Sequence, residues 1–302
     1  MPISESIKQI LKLTRIEHSI MLIIAVISSE IIVLKHAPSL SLLLLSLVAP
    51  IFISMSAFAI NDYFDVETDR ANKKNRPIVT GAITPRAALN VSIACLVIGI
   101  AGAAFINAEA LAIAVVFGAI SMLYSYKLKD MFLVGNVSIA LSMAIPFIYG
   151  NYVVSGTVSS NILLISVLIL FAGIAREVHG TIRDYDGDML VRKTRNIVSA
   201  VGRAQASVFA FLLYVVAIGI SIYLFFFNPP FMLNAVYFAL ILVVDALLIY
   251  VNAIYIKINI TKKKLGNTAK ARKYDLMRNI GLGAMALALI AFIASALVYL
   301  PI

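Results

Sequence analysis

Apolar residues run almost unbroken through nine stretches of this chain, at 19–34, 42–60, 87–107, 110–126, 132–154, 162–175, 204–227, 231–256 and 280–300. Most approach the ~20 residues that an α-helix needs to cross about 30 Å of hydrocarbon. The pattern predicts nine membrane-spanning helices, the sixth of them short and continuing through Arg176 to His179. Ahead of the first run, Ile3, Ile7, Ile10, Leu11 and Leu13 are interleaved with Lys8, Lys12 and Arg15, which predicts an interfacial amphipathic helix. That arm carries no small-residue cleavage site, and eight more spans follow, so the first run reads as a retained helix rather than a signal peptide.

Composition agrees with the pattern. Of 302 residues, 62% are hydrophobic and only 13% charged, and the mean hydropathy is +0.98, which places the chain in a bilayer. The formal charge of +10 changes the picture through its distribution. With nine crossings, 24 of the 25 Lys and Arg residues fall on one side and only Lys35 on the other. The positive-inside rule then puts the N-terminus in the cytoplasm and the C-terminus outside, in a multi-pass cell-membrane protein. The charge therefore describes a membrane face in contact with lipid headgroups, not a nucleic-acid footprint, and no nucleic-acid motif is present. The single Cys95 lies in an apolar run and reads as a small core residue.

A weak internal repeat organises the spans. Helix 2 ends in an acidic segment, 61–69, followed by the basic stretch 72–77; helix 6 ends in a second, 183–188, followed by 192–195. Helices 4 and 8 both close on tyrosine and lysine. The chain divides into two four-helix units plus a ninth helix, a single membrane domain over 1–302 with an interfacial arm at 1–18 and catalytic loops at 61–86 and 176–203.

The two acidic segments carry the chemistry. On a helix Asn61, Asp65 and Asp69 recur at i, i+4, i+8 and share a face, and Asp184 and Asp188 repeat the i, i+4 spacing. Both clusters sit where spans leave the membrane. Mg²⁺ takes one or two carboxylates and fills its remaining positions with water and phosphate oxygens, and nearby Lys and Arg neutralise what charge remains. Two such faces with apolar walls point to a lipid diphosphate, with the carboxylates as metal ligands. Lys73, Lys74, Arg76, Lys127, Lys129 and Arg183 are the candidate phosphate contacts. The competing reading makes the same acids helix caps or ion-pair partners of Lys73, Lys74, Arg76 and Arg183. Asp62, Glu67 and Asp186 fall off the shared faces and read as solvated or loop-structuring carboxylates.

These motifs resemble those of the UbiA superfamily of membrane prenyltransferases: N-D-x-x-D-x-x-x-D at Asn61, Asp62, Asp65 and Asp69, and D-x-x-x-D at Asp184 and Asp188. The likeness extends to residues 76–81 (RPIVTG), to 123–129 (LYSYKLK) and to Gly135–Asn136, so it spans essentially the whole chain. It implies an all-α bundle of nine transmembrane helices around a central cavity, with a cytoplasmic cap of helix-loops. It implies transfer of an isoprenoid from a prenyl diphosphate to a lipophilic acceptor, catalysed at Asp65, Asp69, Asp184 and Asp188 with two Mg²⁺ ions, which Asn61 helps to hold. Tyr124 is assigned to substrate binding; Tyr63, Phe64, Tyr124 and Tyr149 are candidates to face an allylic cation.

The chain departs from the family pattern at Thr181, where many relatives carry Asp, at His18, where the helix-1 motif has Asn, and at 192–197 (RKTRNI), where G-K-x-T-L-P is common. Basic residues beyond a diphosphate clamp, Arg15 and Arg192 among them, favour geranylgeranylglyceryl phosphate as acceptor, with Arg15 the leading contact to its phosphate. An aromatic or quinone-precursor acceptor is the alternative. Glu30 and Asp245, ionisable groups in or near apolar spans, support a rival of another class, a secondary transporter. A non-catalytic lipid-binding homologue is a third reading.

Overall fold

The computed structural model describes residues 3–71, 74–191, 196–260 and 266–298, and all their regular structure is helical. An amphipathic helix α1 (Ile3–Thr14) leads through a 3₁₀ turn (Ile16–His18) into α2 (Ser19–Leu34). There follow α3 (Leu40–Phe64), the short α4 (Val66–Ala71), α5 (Pro85–Ala104) and α6 (Ala108–Tyr126). The second half comprises α7 (Val134–Val154), α8 (Ser160–Val191), α9 (Ile197–Phe227), α10 (Ala235–Ile260) and α11 (Asn267–Val298). Among the described residues nine helices, all but α1 and α4, are long and apolar enough to cross a membrane.

Each spanning helix packs against its sequence neighbours, and α11 returns to α2, which closes a ring. The buried apolar residues form two large clusters. One, including Val26, Ala49, Ile53, Ala110 and Tyr149, joins α2, α3, α5, α6 and α7. The other, including Phe147, Ile165, Tyr214, Val251 and Phe292, joins α2 with α7 to α11. α2 and α7 contribute to both and bind the halves together. In hydrocarbon, helix association rests on close approach and interhelical hydrogen bonds, and both occur at their interface. A Cβ on Gly150 of α7 would stand 2.7 Å from the Val26 carbonyl oxygen of α2, and the Ser29 hydroxyl of α2 donates to the Phe147 carbonyl at 2.6 Å.

Two helix lengths differ from the sequence reading. The sixth spanning helix is not short: α8 runs for 32 residues, about 48 Å at 1.5 Å per residue, and carries Asp184 beyond the apolar stretch on unbroken helix. The turns from Arg176 to Asp184 are polar where they line a cavity, so hydropathy falls while the helix continues. α11 likewise begins earlier than hydropathy shows, at Asn267 rather than near 280, on polar turns that are largely exposed. In contrast, the predicted start of the seventh span at 204 agrees with a break inside α9, where Gly202 adopts φ 83°, a conformation that costs glycine little.

The predicted interfacial arm forms as α1. Leu13 is fully buried against Ala59, Ile78, Ile83 and Ala88, while Ile7 and Leu11 remain exposed. Lys12 Nζ also donates to Asn75 Oδ1 at 3.2 Å, tying the arm to the loop after α4.

Candidate active site

The first acidic segment straddles a joint between two helices. α3 ends at Phe64, Asp65 caps it, and α4 restarts one residue later. The i→i−4 ladder nevertheless continues: the Asp65 N–H donates to the Asn61 carbonyl at 2.9 Å and the Asp69 N–H to the Asp65 carbonyl at 2.7 Å. The predicted common face of Asn61, Asp65 and Asp69 therefore survives the joint.

Each acid of this segment meets a cation from a different element. Asp65 accepts from Lys129 Nζ at 2.7 Å, with both side chains largely buried. Lys74 Nζ lies 2.8 Å from the buried Asp69 Oδ1. Arg76 Nε stands between Asp62 and Asp69, at 3.9 and 3.8 Å. Asp62 is not the solvated carboxylate expected from its off-face position. It is 1% exposed and pairs with Arg15 Nη2, which reaches it from a left-handed residue (φ 47°) between α1 and the 3₁₀ turn. The Arg15 guanidinium also covers the Phe58 ring at 4.8 Å. Burial pulls the Arg15 pKa below its ordinary value, Asp62 pulls it back up, and Arg76 lowers it again. Glu67 and Asp186 are exposed as expected, paired with Arg70 and Arg203.

The second segment opens onto a cavity of about 750 Å³ at the basic end of the bundle. Its wall includes Asp184, Arg183, Thr181 and His179 of α8, Arg278 of α11, and Tyr214 and Tyr255 of α9 and α10. From the other rim it is lined by Tyr124, Lys129 and Arg15, so the cations that hold Asp62 and Asp65 face the same space as Asp184. Arg183 binds Asp184 through two hydrogen bonds of 2.7 and 2.6 Å, and Arg176 binds Glu177 at 2.7 Å. Deeper between α2 and α7 to α11 lies an apolar chamber of about 140 Å³, walled by Met21, Phe147, Leu168, Leu248, Leu289 and Phe292.

Of the residues singled out in the sequence, Arg15, Tyr124, Lys129, Arg183 and Asp184 line this cavity. Asp65, Asp69, Lys74 and Arg76 form the ion-paired cluster joined to it through Lys129, and Asn61 is half-buried on the last turn of α3. Lys127 is exposed and stands apart from the lining. Lys73, Arg192 and the Asp188 side chain lie outside the described residues. Among the described residues, no three His, Cys, Asp or Glu side chains already form a metal-binding group. Of the four aromatic candidates only Tyr124 lines the cavity. The sequence reading missed Tyr214 and Tyr255, whose ring partner His179 is distant in sequence, and Arg278, which only the fold of α11 brings to the cavity. Glu30 is fully buried, and Asp245 accepts from Ser221 Oγ at 2.9 Å at the wall of the apolar chamber.

A ring of membrane helices that encloses a cation-rich, carboxylate-bearing cavity above an apolar chamber defines an intramembrane enzyme for an amphiphilic anion. Residues 21–266 match the UbiA prenyltransferase family, and the chain belongs to that family of membrane prenyltransferases. It is 34% identical over 293 residues to digeranylgeranylglyceryl phosphate synthase of Archaeoglobus fulgidus, covering 96% of each chain. A solved structure of a digeranylgeranylglyceryl phosphate synthase superposes with a TM-score of 0.79 at 26% identity, covering 97% of this chain and 99% of that one. A UbiA homologue from Archaeoglobus fulgidus bound to GPP and Mg²⁺ shares the fold, with a TM-score of 0.65 at 22% identity over 95% of this chain and 99% of its own.

Proposed function

We propose that this chain transfers a prenyl group from a prenyl diphosphate to geranylgeranylglyceryl phosphate, with two Mg²⁺ ions held by Asn61, Asp65, Asp69, Asp184 and Asp188. One observation carries the reading: buried carboxylates interleaved with Arg and Lys stand beside a polar cavity, and a separate apolar chamber lies between α2 and α7 to α11. The 34% identity to a synthase of that name over nearly the full length of both chains supports the acceptor. The donor set fits a hard divalent ion, because it is all oxygen and its Asp65 and Asp69 carboxylates are buried beside cations that a bound ion could replace. Bound Mg²⁺ supplies charge neutralisation that makes the diphosphate a better leaving group.

The chain's own residues do the rest. Lys74, Arg76, Lys129 and Arg183 stabilise negative charge that grows on the diphosphate oxygens as the allylic C–O bond breaks. The apolar chamber takes the prenyl tail and keeps water from the carbocation. Tyr124 and Tyr214 bring aromatic rings to the cavity wall. Arg15, facing the cavity from the arm, is assigned to the acceptor phosphate.

The test is turnover of geranylgeranyl diphosphate by purified protein with a panel of acceptors, products read by mass spectrometry. The expected product is the ether of geranylgeranylglyceryl phosphate, lost in EDTA and restored by Mg²⁺. Preference for an uncharged aromatic acceptor overturns the lipid-phosphate assignment, and full turnover in EDTA overturns the metal assignment.

We further infer that the site faces the cytoplasm, on the distribution of Lys and Arg. In a Cys95→Ala background, cysteine at Asn75 is expected to react with an impermeant maleimide from the cytoplasmic side and cysteine at Gly156 from the outside. The reverse pattern overturns the orientation.

A further inference from the structure

The prenyl-transfer reaction needs a proton acceptor for the hydroxyl that attacks the allylic carbon, and the cavity wall offers few candidates. Glu177 and Asp184 are each held by a neighbouring arginine at 2.6–2.7 Å. His18 and Asp130 sit at the rim, exposed. His179 differs from all of these. It is 5% exposed, it lines the cavity, and its Nε2 has no hydrogen-bond partner among the described residues. A buried polar atom without a partner carries a desolvation cost, and an acceptor hydroxyl reaching this wall would relieve it.

The ring is held with little freedom. It stacks face to face on Tyr255, centroids 3.8 Å apart and planes 2° from parallel, and Tyr214 lies 5.8 Å away. Tyr255 is itself stacked on Tyr274 at 5.0 Å. Such a column fixes the edge of the imidazole. On α8, Arg176, His179 and Arg183 recur at i, i+3, i+7 along one stripe, and all three line the cavity.

We propose that His179 is a catalytic residue: its Nε2 receives the hydrogen bond, and then the proton, of the free hydroxyl of a glycerol-phosphate acceptor whose phosphate lies toward Arg15, on the opposite rim of the same cavity. The step balances within the known reaction. The acceptor O–H bond breaks and its proton moves to Nε2; the oxygen's electron pair forms the new C–O bond to the allylic carbon. Diphosphate departs with the electrons of the C–O bond it loses, and the imidazolium returns its proton to water after product release. This assignment rests on the acceptor reading above and extends it.

The experiment uses full-length protein with Mg²⁺, labelled geranylgeranyl diphosphate and geranylgeranylglyceryl phosphate, and counts ether, free geranylgeraniol and released diphosphate. His179→Phe keeps a flat ring in the column and removes Nε2. It is expected to lower ether formation about 10²-fold while donor cleavage persists, so that geranylgeraniol from water capture becomes the main product. His179→Gln, which offers a hydrogen bond without accepting a proton, is expected to keep the acceptor KM near wild type with the same loss of kcat. Wild-type ether yield in both variants overturns the proposal. So does an equal fall of donor cleavage and ether formation in both, at unchanged thermal midpoints, because that places His179 on the donor side. Wild-type protein is read first: if it makes no ether from the phosphorylated acceptor, the acceptor assignment falls and the role of His179 falls with it.

Discussion

Asparagine in place of Asp65 or Asp69 is expected to reduce prenyl transfer by ~10³-fold or more, almost entirely in kcat. The change keeps the shape of each side chain and removes one negative charge. Losing a metal-binding carboxylate costs several kcal/mol of transition-state stabilisation, and each 1.36 kcal/mol is a factor of ten in rate. The effect falls on kcat because charge on the diphosphate grows during C–O cleavage and not on binding. The two sites differ in side effects. Asp65 is the partner of a Lys129 that is only 9% exposed, so Asp65→Asn also leaves a buried ammonium unpaired, whereas Lys74 beside Asp69 is 47% exposed and is readily solvated. Asp69→Asn is therefore expected to fold with an unchanged thermal midpoint and Asp65→Asn with a lowered one. Steady-state kinetics on folded protein check this, and near-wild-type kcat for both variants would remove these residues from the metal site.

The second large effect is on stability. Arg15→Ala strands Asp62, whose side chain is fully buried, with only Arg76 at 3.9 Å to answer its charge. Breaking a buried pair from one side costs about 3–5 kcal/mol, which lowers a thermal midpoint by something on the order of 10 °C. Asp62→Asn in the Arg15→Ala background removes the stranded charge and is expected to recover most of the loss. A double-mutant cycle measured in detergent micelles reads the coupling directly. Additive losses would show that the arm and the end of α3 are not energetically joined through this pair.

Much of this architecture is written in local pattern, and what is not depends on partners far away in the chain. The nine apolar runs correspond to nine helices long and apolar enough to cross a membrane among the described residues, because hydropathy is local and needs no distant partner. The face shared by Asn61, Asp65 and Asp69 held because the helical ladder continues through the joint at Asp65. Asp62 defeated the same rule: it points away from that face, and its burial comes from Arg15, 47 residues earlier. The length of α8 was hidden because its polar turns face a cavity rather than solvent, and hydropathy does not distinguish the two. The ring column at His179 joins α8 to Tyr255 and Tyr274 of α10 and α11. No spacing within one segment announces it.

The three buried acids of the first motif draw their cations from three separate places: the arm, the turn after α6 and the loop after α4. Anything that binds there therefore trades partners and does not place new charge in a bare pocket. On the proposed site, metal ions would take over carboxylate oxygens and phosphates would take over ammonium and guanidinium groups, so the net buried charge would change little. The order of the trade follows from exposure. Lys74 lets go at little cost, Lys129 and Arg15 only once their replacements have arrived. Such a lock lets the bilayer end of the protein carry a dense acidic cluster without swelling, and it couples the grip on the substrate to the position of the arm.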